Sequence, residues 1–341
     1  MSDLRQDITT KRWVIVANER AKRPSDFISK NAQEEILAHR DDCPFCMGNE
    51  GKTPPELFAI REGSDPNTPG WKVRVVPNKY GALSPSARLE VINPDIFTSI
   101  TGFGAHEVII ESPEHNLSLG MQPVNQVQKV LETILQRLRT LAQDPRIRFA
   151  AVFRNHGIAA GTSLAHPHSQ LIATPITPTN VQEEIEEARR FFDDRVHCVY
   201  CYLLKKEHDD GRRIVFETER YTVLCPYASR FPFEMMILPR NHQSSVMEDT
   251  RVENIPFLAE VIRKALALLH FTANDPDYNM VLHTAPLRDP CLDYFHWHLE
   301  ILPRLTTAAG FELGTGIYIT TAIPEETAQY LREKLKEMEA V

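Results

Sequence analysis

Apolar residues recur every three or four positions at Val124, Val127, Leu131, Ile134, Leu138 and Leu141, which predicts an amphipathic helix. The same spacing at Ile255, Leu258, Val261, Ile262, Ala265, Leu266 and Leu269 predicts a second. Short apolar runs that read as strands bracket each helix. The first follows 106–115 and precedes 149–153 and 166–172; the second follows 233–242 and precedes 279–283 and 296–302. A turn at 174–180 leads into a helix predicted over 181–192, with Thr179 or Asn180 as its N-cap. A last helix starts at Pro324, with Glu325 and Glu326 in the first turn where the helix dipole favours acids. The stretch 47–101 is rich in Pro, Gly, Asn and Ser; within it a strand from Trp71 runs into a loop near Asn78 and Tyr80.

These elements occur twice in one order. Cys43-x-x-Cys46, a strand ending near His115, a helix and His166-x-His168 are followed by Cys198-x-x-Cys201, a strand ending near His242, a helix and His296-x-His298. Eight residues separate Glu107 from His115, and eight separate Glu234 from His242. The pattern predicts an α+β fold of two tandem units, 1–178 and 179–341.

The 341 residues suffice for two such domains, and 42% hydrophobic with 25% charged residues excludes a disordered chain. Mean hydropathy is −0.31. No apolar run approaches the roughly 18 residues of a membrane span, and 1–7 lack the apolar stretch of a signal peptide, so a cytoplasmic protein is expected. The net charge of −8 argues against a nucleic-acid partner. It still allows a small phosphorylated ligand held by a few local arginines.

Paired cysteines in a reducing compartment point to metal or redox chemistry rather than disulfides. Cys43, Cys46, His115 and His166 form a Cys2His2 set suited to a closed, structural zinc. His166, His168 and Gln170 have period two, which on a strand turns them to one face. With His166 on the metal, His168 is left as a nucleophile or base. Gln170 then donates a hydrogen bond to a bound oxyanion. In the second half Cys198, Cys201, His242 and His296 repeat the zinc set, so two zinc ions (Zn2+) per chain are expected.

The run from Asn155-His-Gly through Ser163 to His166-Pro-His168-Ser-Gln170 resembles the active-site segment of the galactose-1-phosphate uridylyltransferase family. That family is the transferase branch of the histidine-triad superfamily, marked by His-x-His-x-Gln. Arg20-Ala-Lys-Arg23-Pro24 resembles its early phosphate-binding segment, Pro77-Asn78-Lys-Tyr80 its nucleoside loop, and Ser112-Pro-Glu-His115 its zinc histidine. The resemblance implies two tandem histidine-triad-like units, each an antiparallel half-barrel sheet flanked by helices. It also implies a homodimer and small-molecule substrates. The pattern of some members offers a competing metal set in the second half, Glu184, His283, His296 and His298; the paired-thiolate set is preferred over it as the stronger zinc signature. A uridylyl group would pass from UDP-glucose to galactose 1-phosphate through His168. Ser163 and Gln170 would hold phosphate oxygens, Asn155 the nucleotide phosphates, and Arg20 and Arg23 the charge on the transferred or leaving phosphate.

Two departures bear on specificity. Leu164 replaces a polar residue, and the segment Gly310-Phe311 to Tyr318, expected at the sugar, lacks the family's tyrosine–glutamate pair. Both bring the chain nearer to relatives that handle ADP-glucose, so an ADP-sugar or dinucleoside-polyphosphate phosphorylase or adenylyltransferase is the alternative, followed by a non-enzymatic zinc-binding module. Asn78 and Tyr80 as base readers favour UDP-glucose over ADP-glucose. Glu300, standing where Gln170 stands, predicts that the second unit is catalytically silent.

Overall fold

The computed structural model describes residues 1–20, 22–28, 37–93, 95–249 and 254–340. The first half contains β1 (Asp3–Gln6), β2 (Trp13–Val16), β3 (Phe58–Arg61), β4 (Trp71–Pro77), β5 (Val91–Asn93), β6 (Ser99–Ile100), β7 (Ala105–Ile110), α1 (Val124–Leu141), β8 (Phe149–His156) and β9 (His168–Thr174). The second contains α2 (Thr179–Arg195), α3 (Val199–Asp210), β10 (Ile214–Glu217), β11 (Tyr221–Leu224), β12 (Met235–Pro239), α4 (Val246–Asp249), α5 (Ile255–Ala273), β13 (Tyr278–His283), β14 (His298–Pro303), α6 (Gly310–Thr315), β15 (Tyr318–Thr320) and α7 (Pro324–Glu339).

Ten strands form one antiparallel sheet in the order β3-β4-β7-β9-β8-β13-β14-β12-β11-β10. Read inward from either edge, the halves give the same series: two early strands, the strand before the long helix, the strand after the His-x-His, and the strand after the helix. The halves meet at the centre, where β8 pairs with β13, Val152 opposite Leu282 and Asn155 opposite Asn279. The predicted α+β class is the observed one. α1 and α5 cover one face and pack against each other. Val127, Ile134 and Leu138 of α1 and Leu258, Ile262 and Leu269 of α5 are buried in a core that also takes Val73 and Leu171 from the first half and Val223 and Ile301 from the second.

The observed α1 spans the predicted periodic run, and α7 starts at Pro324 as expected. α2 begins two residues before the predicted start. Pro178 is its N-cap and Thr179 is already helical, because an extended proline ends the preceding loop without a capping side chain. The paired acids of the spacing comparison are not equivalent in register. Glu107 lies opposite Leu171, but Met235, not Glu234, lies opposite Ile301. Each acid has its own arginine, Arg137 at 2.7 Å for Glu107 and Arg230 at 3.0 Å for Glu234.

The chain ends are tied together by a separate sheet, β1-β2-β15. Arg5 donates to Glu325 at 3.0 Å, and Phe27 packs edge-on against Phe233. The arginine-containing segment near residue 23 therefore sits against the second half of the chain.

Candidate active site

His168 opens β9. Its Nδ1–H donates to the His166 carbonyl at 2.8 Å, which fixes the proton on Nδ1 and leaves the lone pair on Nε2. Burial holds this imidazole below its ordinary range, and the Arg154 charge acts in the same direction, so the ring is neutral near pH 7. His166 stands on a bend before the strand, not on the strand as its period-two spacing predicts. Pro167 follows it and its carbonyl accepts the Glu111 amide, so the regular ladder starts only at His168. His166 is thereby free to turn toward the cysteines.

Alternation and register set the site face. His168 and Gln170 share one side of β9. Arg154 pairs with Ser169 and Phe153 with Gln170, so Asn155 stands beside His168 on that side. Val108 pairs with Gln170, which places His106 diagonally next to it. The Ala82 amide donates to His106 Nδ1 at 3.2 Å, and His106 Nε2 meets Gln170 Oε1 at 2.8 Å. Asn78 Nδ2 stands 3.1 Å from the same His106 nitrogen, while Asn78 Oδ1 accepts the Tyr80 amide at 2.9 Å. Asn155 Oδ1 accepts from Asn279 Nδ2 at 2.8 Å. Beneath the face, Glu111 pairs with Arg154 and accepts from Ser169 Oγ at 2.6 Å, and Arg154 Nε donates to Tyr278 OH at 3.1 Å.

His168, Gln170, Asn155 and, through His106, Asn78 are thus brought together. Ser163 is exposed on the loop before His166, and Tyr80 is 85% exposed. Arg23 is exposed, and the Arg20 side chain lies outside the described residues. Phe311, on α6, is also exposed. Neither Arg23 nor Phe311 has a described hydrogen bond or ring contact to the His168 strand. Three contributors escaped the sequence: His106, Asn279 and Arg304. His106 and Asn279 act on Gln170 and Asn155 from the neighbouring strands, and Arg304, just past β14, donates to Asn279 Oδ1; the signal for the first two is the strand register.

The metal-ligand sets also converge. The donor atoms of Cys43, Cys46, His115 and His166 lie within 4.8 Å of one another. His166 Nε2–H donates to the Ser112 carbonyl at 2.8 Å, which points the Nδ1 lone pair at the thiols. Burial pushes the Cys46 thiol up to about 11 and the His166 imidazole down to about 4. A bound cation would favour the thiolate. Cys198, Cys201, His242 and His296 form an equivalent group, with His242 Nε2 donating to the Leu292 carbonyl at 3.2 Å. The expected competition for His296 does not arise. Its Nδ1 faces Cys201 at 3.5 Å, and Glu184, His283 and His298 form a third, separate group. In that group His283 lies 3.0 Å from Glu184 and 3.3 Å from Glu300. Burial opposes its charge, yet the two carboxylates hold it up at about 10.

Residues 1–178 match the family described as galactose-1-phosphate uridyl transferase, N-terminal domain. The chain belongs to the galactose-1-phosphate uridylyltransferase family. Residues 104–341 also match a domain of unknown function, DUF4921. The ADP-glucose phosphorylase of Arabidopsis thaliana is 37% identical over 97% of this chain and 92% of its own. The galactose-1-phosphate uridylyltransferase of Thermotoga maritima is 30% identical over 98% of both. The crystal structure of an ADP-glucose phosphorylase from Arabidopsis thaliana with bound ADP-glucose superposes with a TM-score of 0.81 at 32% identity, covering 98% of each chain. These family relatives are nucleotidyltransferases or phosphorylases. None of the described helices is long and apolar enough to cross a membrane.

Proposed function

We propose that the chain moves a nucleoside monophosphate from a nucleoside diphosphate glucose to a phosphate-bearing acceptor, through a covalent adduct on His168 Nε2. The observation that carries this reading is the His168 Nδ1–His166 carbonyl bond, which leaves a neutral ring with its lone pair on Nε2. Nε2 attacks the α-phosphorus; a P–N bond forms and the P–O bond to glucose 1-phosphate breaks. An oxygen of the acceptor phosphate then attacks the same phosphorus and the P–N bond breaks, freeing the imidazole. Gln170, Asn155 and Ser163 hold phosphate oxygens, and Arg20 and Arg23 offset their charge. The residues of the two Cys2His2 sets fit zinc, which in a site closed by four protein ligands supplies stability rather than an open position for substrate. The catalytic unit is 1–178. The unit 179–341 is silent, because His298 Nε2 faces Glu184 at 3.5 Å and Glu300 is a carboxylate where Gln170 is an amide. A cytoplasmic homodimer completes the reading, and the exposure of Arg23, Tyr80 and Phe311 suits residues that close on substrate or a second protomer.

For the donor, ADP-glucose with orthophosphate as acceptor is the preferred reading. Asn78 was expected to read a uracil edge with both a donor and an acceptor, but its Oδ1 already accepts the Tyr80 amide, which leaves only its NH2 for a base. The 37% likeness to an ADP-glucose phosphorylase, Leu164 and the Phe311 segment point the same way. Transfer of UMP from UDP-glucose to galactose 1-phosphate is the second reading, supported by the match to the uridylyltransferase of Thermotoga maritima. The test uses each donor labelled at the α-phosphate. Label on the denatured protein from ADP-glucose, released as ADP by orthophosphate, supports the first reading. Label from UDP-glucose, released as UDP-galactose by galactose 1-phosphate, supports the second. No label from either refutes both.

A further inference from the structure

We infer that His106, together with Asn279 and Arg304 from the second half of the chain, are positioning residues that fix which end of the Gln170 and Asn155 amides faces the donor phosphates. The inference rests on the nucleotidyl-transfer reading and deepens it.

A carboxamide has a donor end and an acceptor end of nearly equal shape, and only its neighbours decide how it points. Arg304 Nε can only donate, and it meets Asn279 Oδ1 at 2.5 Å. The Ala160 carbonyl can only accept, and it meets Asn279 Nδ2 at 2.9 Å. The Asn279 amide is therefore oriented from both ends. Its NH2 is also 2.8 Å from Asn155, which must present Oδ1 to it. The NH2 of Asn155 is left to turn away from Asn279, on the face that carries His168. Similar logic fixes Gln170. The Ala82 amide can only donate, so His106 Nδ1 is an acceptor and the proton sits on Nε2. That Nε2–H donates to Gln170 Oε1 at 2.8 Å, leaving the Gln170 NH2 turned the other way.

Neither NH2 group has a described partner. Two carboxamides beside the free imidazole are thus both held donor-outward, which suits the anionic oxygens of a diphosphate. A reversed amide would offer them a carbonyl oxygen. The second half, silent in its own centre, contributes Asn279 and Arg304 to the centre of the first.

The experiment measures label on His168 and single-turnover kinetics of the full chain with α-labelled ADP-glucose and UDP-glucose. Asn279→Asp keeps the shape and the Arg304 partner but turns the donor into an acceptor, so Asn155 reverses. The rate of label transfer should fall about ten- to hundredfold, the loss of one hydrogen bond to a charged group. His106→Leu should cost a similar factor, and His106→Gln, which keeps a donor near the Nε2 position, should recover most of it. In an Asn155→Ala background Asn279→Asp should cost little more, and in Gln170→Ala His106→Leu should cost little more. Losses that persist undiminished in those backgrounds are those of a merely structural role and overturn the proposal. No label on the unmodified protein overturns the transfer reading as well, so the two failures are distinguishable.

Discussion

Glu111→Ala should be among the most damaging single changes outside the metal sites. Glu111 is fully buried, and its partner Arg154 is 2% exposed. The carboxylate pairs with the guanidinium and accepts from Ser169 Oγ; Arg154 has Tyr278 OH as its one other described partner. Truncating Glu111 leaves a buried cation that cannot shed its proton, since guanidinium stays charged at any accessible pH. Breaking such a pair from one side costs about 3–5 kcal/mol. Asp144→Ala is the internal control. Its pair with Arg146 is at 2.7 Å, but the side chains are 29% and 47% exposed, so the loss should stay below about 1 kcal/mol. Urea unfolding at constant slope reads both as midpoint shifts. The double change Glu111→Leu/Arg154→Met should recover most of the loss, because apolar replacements remove both buried charges. A Glu111→Ala shift no larger than that of Asp144→Ala would refute the reasoning.

His168→Ala should lose both retained label and turnover with its circular dichroism unchanged; label surviving in that variant would place the nucleophile elsewhere. Elemental analysis should find two zinc ions per chain. Cys43→Ser should remove one and lower the unfolding midpoint more than it slows transfer, whereas metal that persists when both Cys43 and Cys198 are replaced would point to Glu184, His283 and His298 instead. Gly157→Ala should destabilise by about 1–3 kcal/mol and slow transfer. Its φ is +83°, an added Cβ would lie 1.9 Å from Asp277 Oδ1, and Asp277 holds the loop through the Ala159 amide. An unchanged midpoint would count against that clamp.

The helices were legible because α1 and α5 each bury a stripe against the sheet, and a stripe leaves a three-to-four spacing in the chain. The strand order was not. β8 and β13 meet at the centre of the sheet, with Asn155 opposite Asn279, and nothing local announces a pairing of two edges that each half would otherwise expose. The β1-β2-β15 sheet was hidden for the same reason, since it joins the two ends of the chain.

The site divides along a similar line. His168, Gln170 and the cysteine–histidine sets could be read because their spacing along the chain carries their chemistry. His106, Asn279 and Arg304 could not, since an asparagine in a strand means nothing until its neighbour across the ladder is known. Register also shows where the two halves differ. Phe153 lies opposite Gln170 as Val281 lies opposite Glu300, so His283 is the counterpart of Asn155. The first half thus carries two neutral amides beside a free imidazole. At the same places the second carries a histidine and a carboxylate bound to each other, to Glu184 and to Arg230. An incoming diphosphate would meet two carboxylates there and would have to break an ion-pair network to enter. Asn279, two strands from His168 and four residues before His283 on β13, turns its amide across the central seam to Asn155.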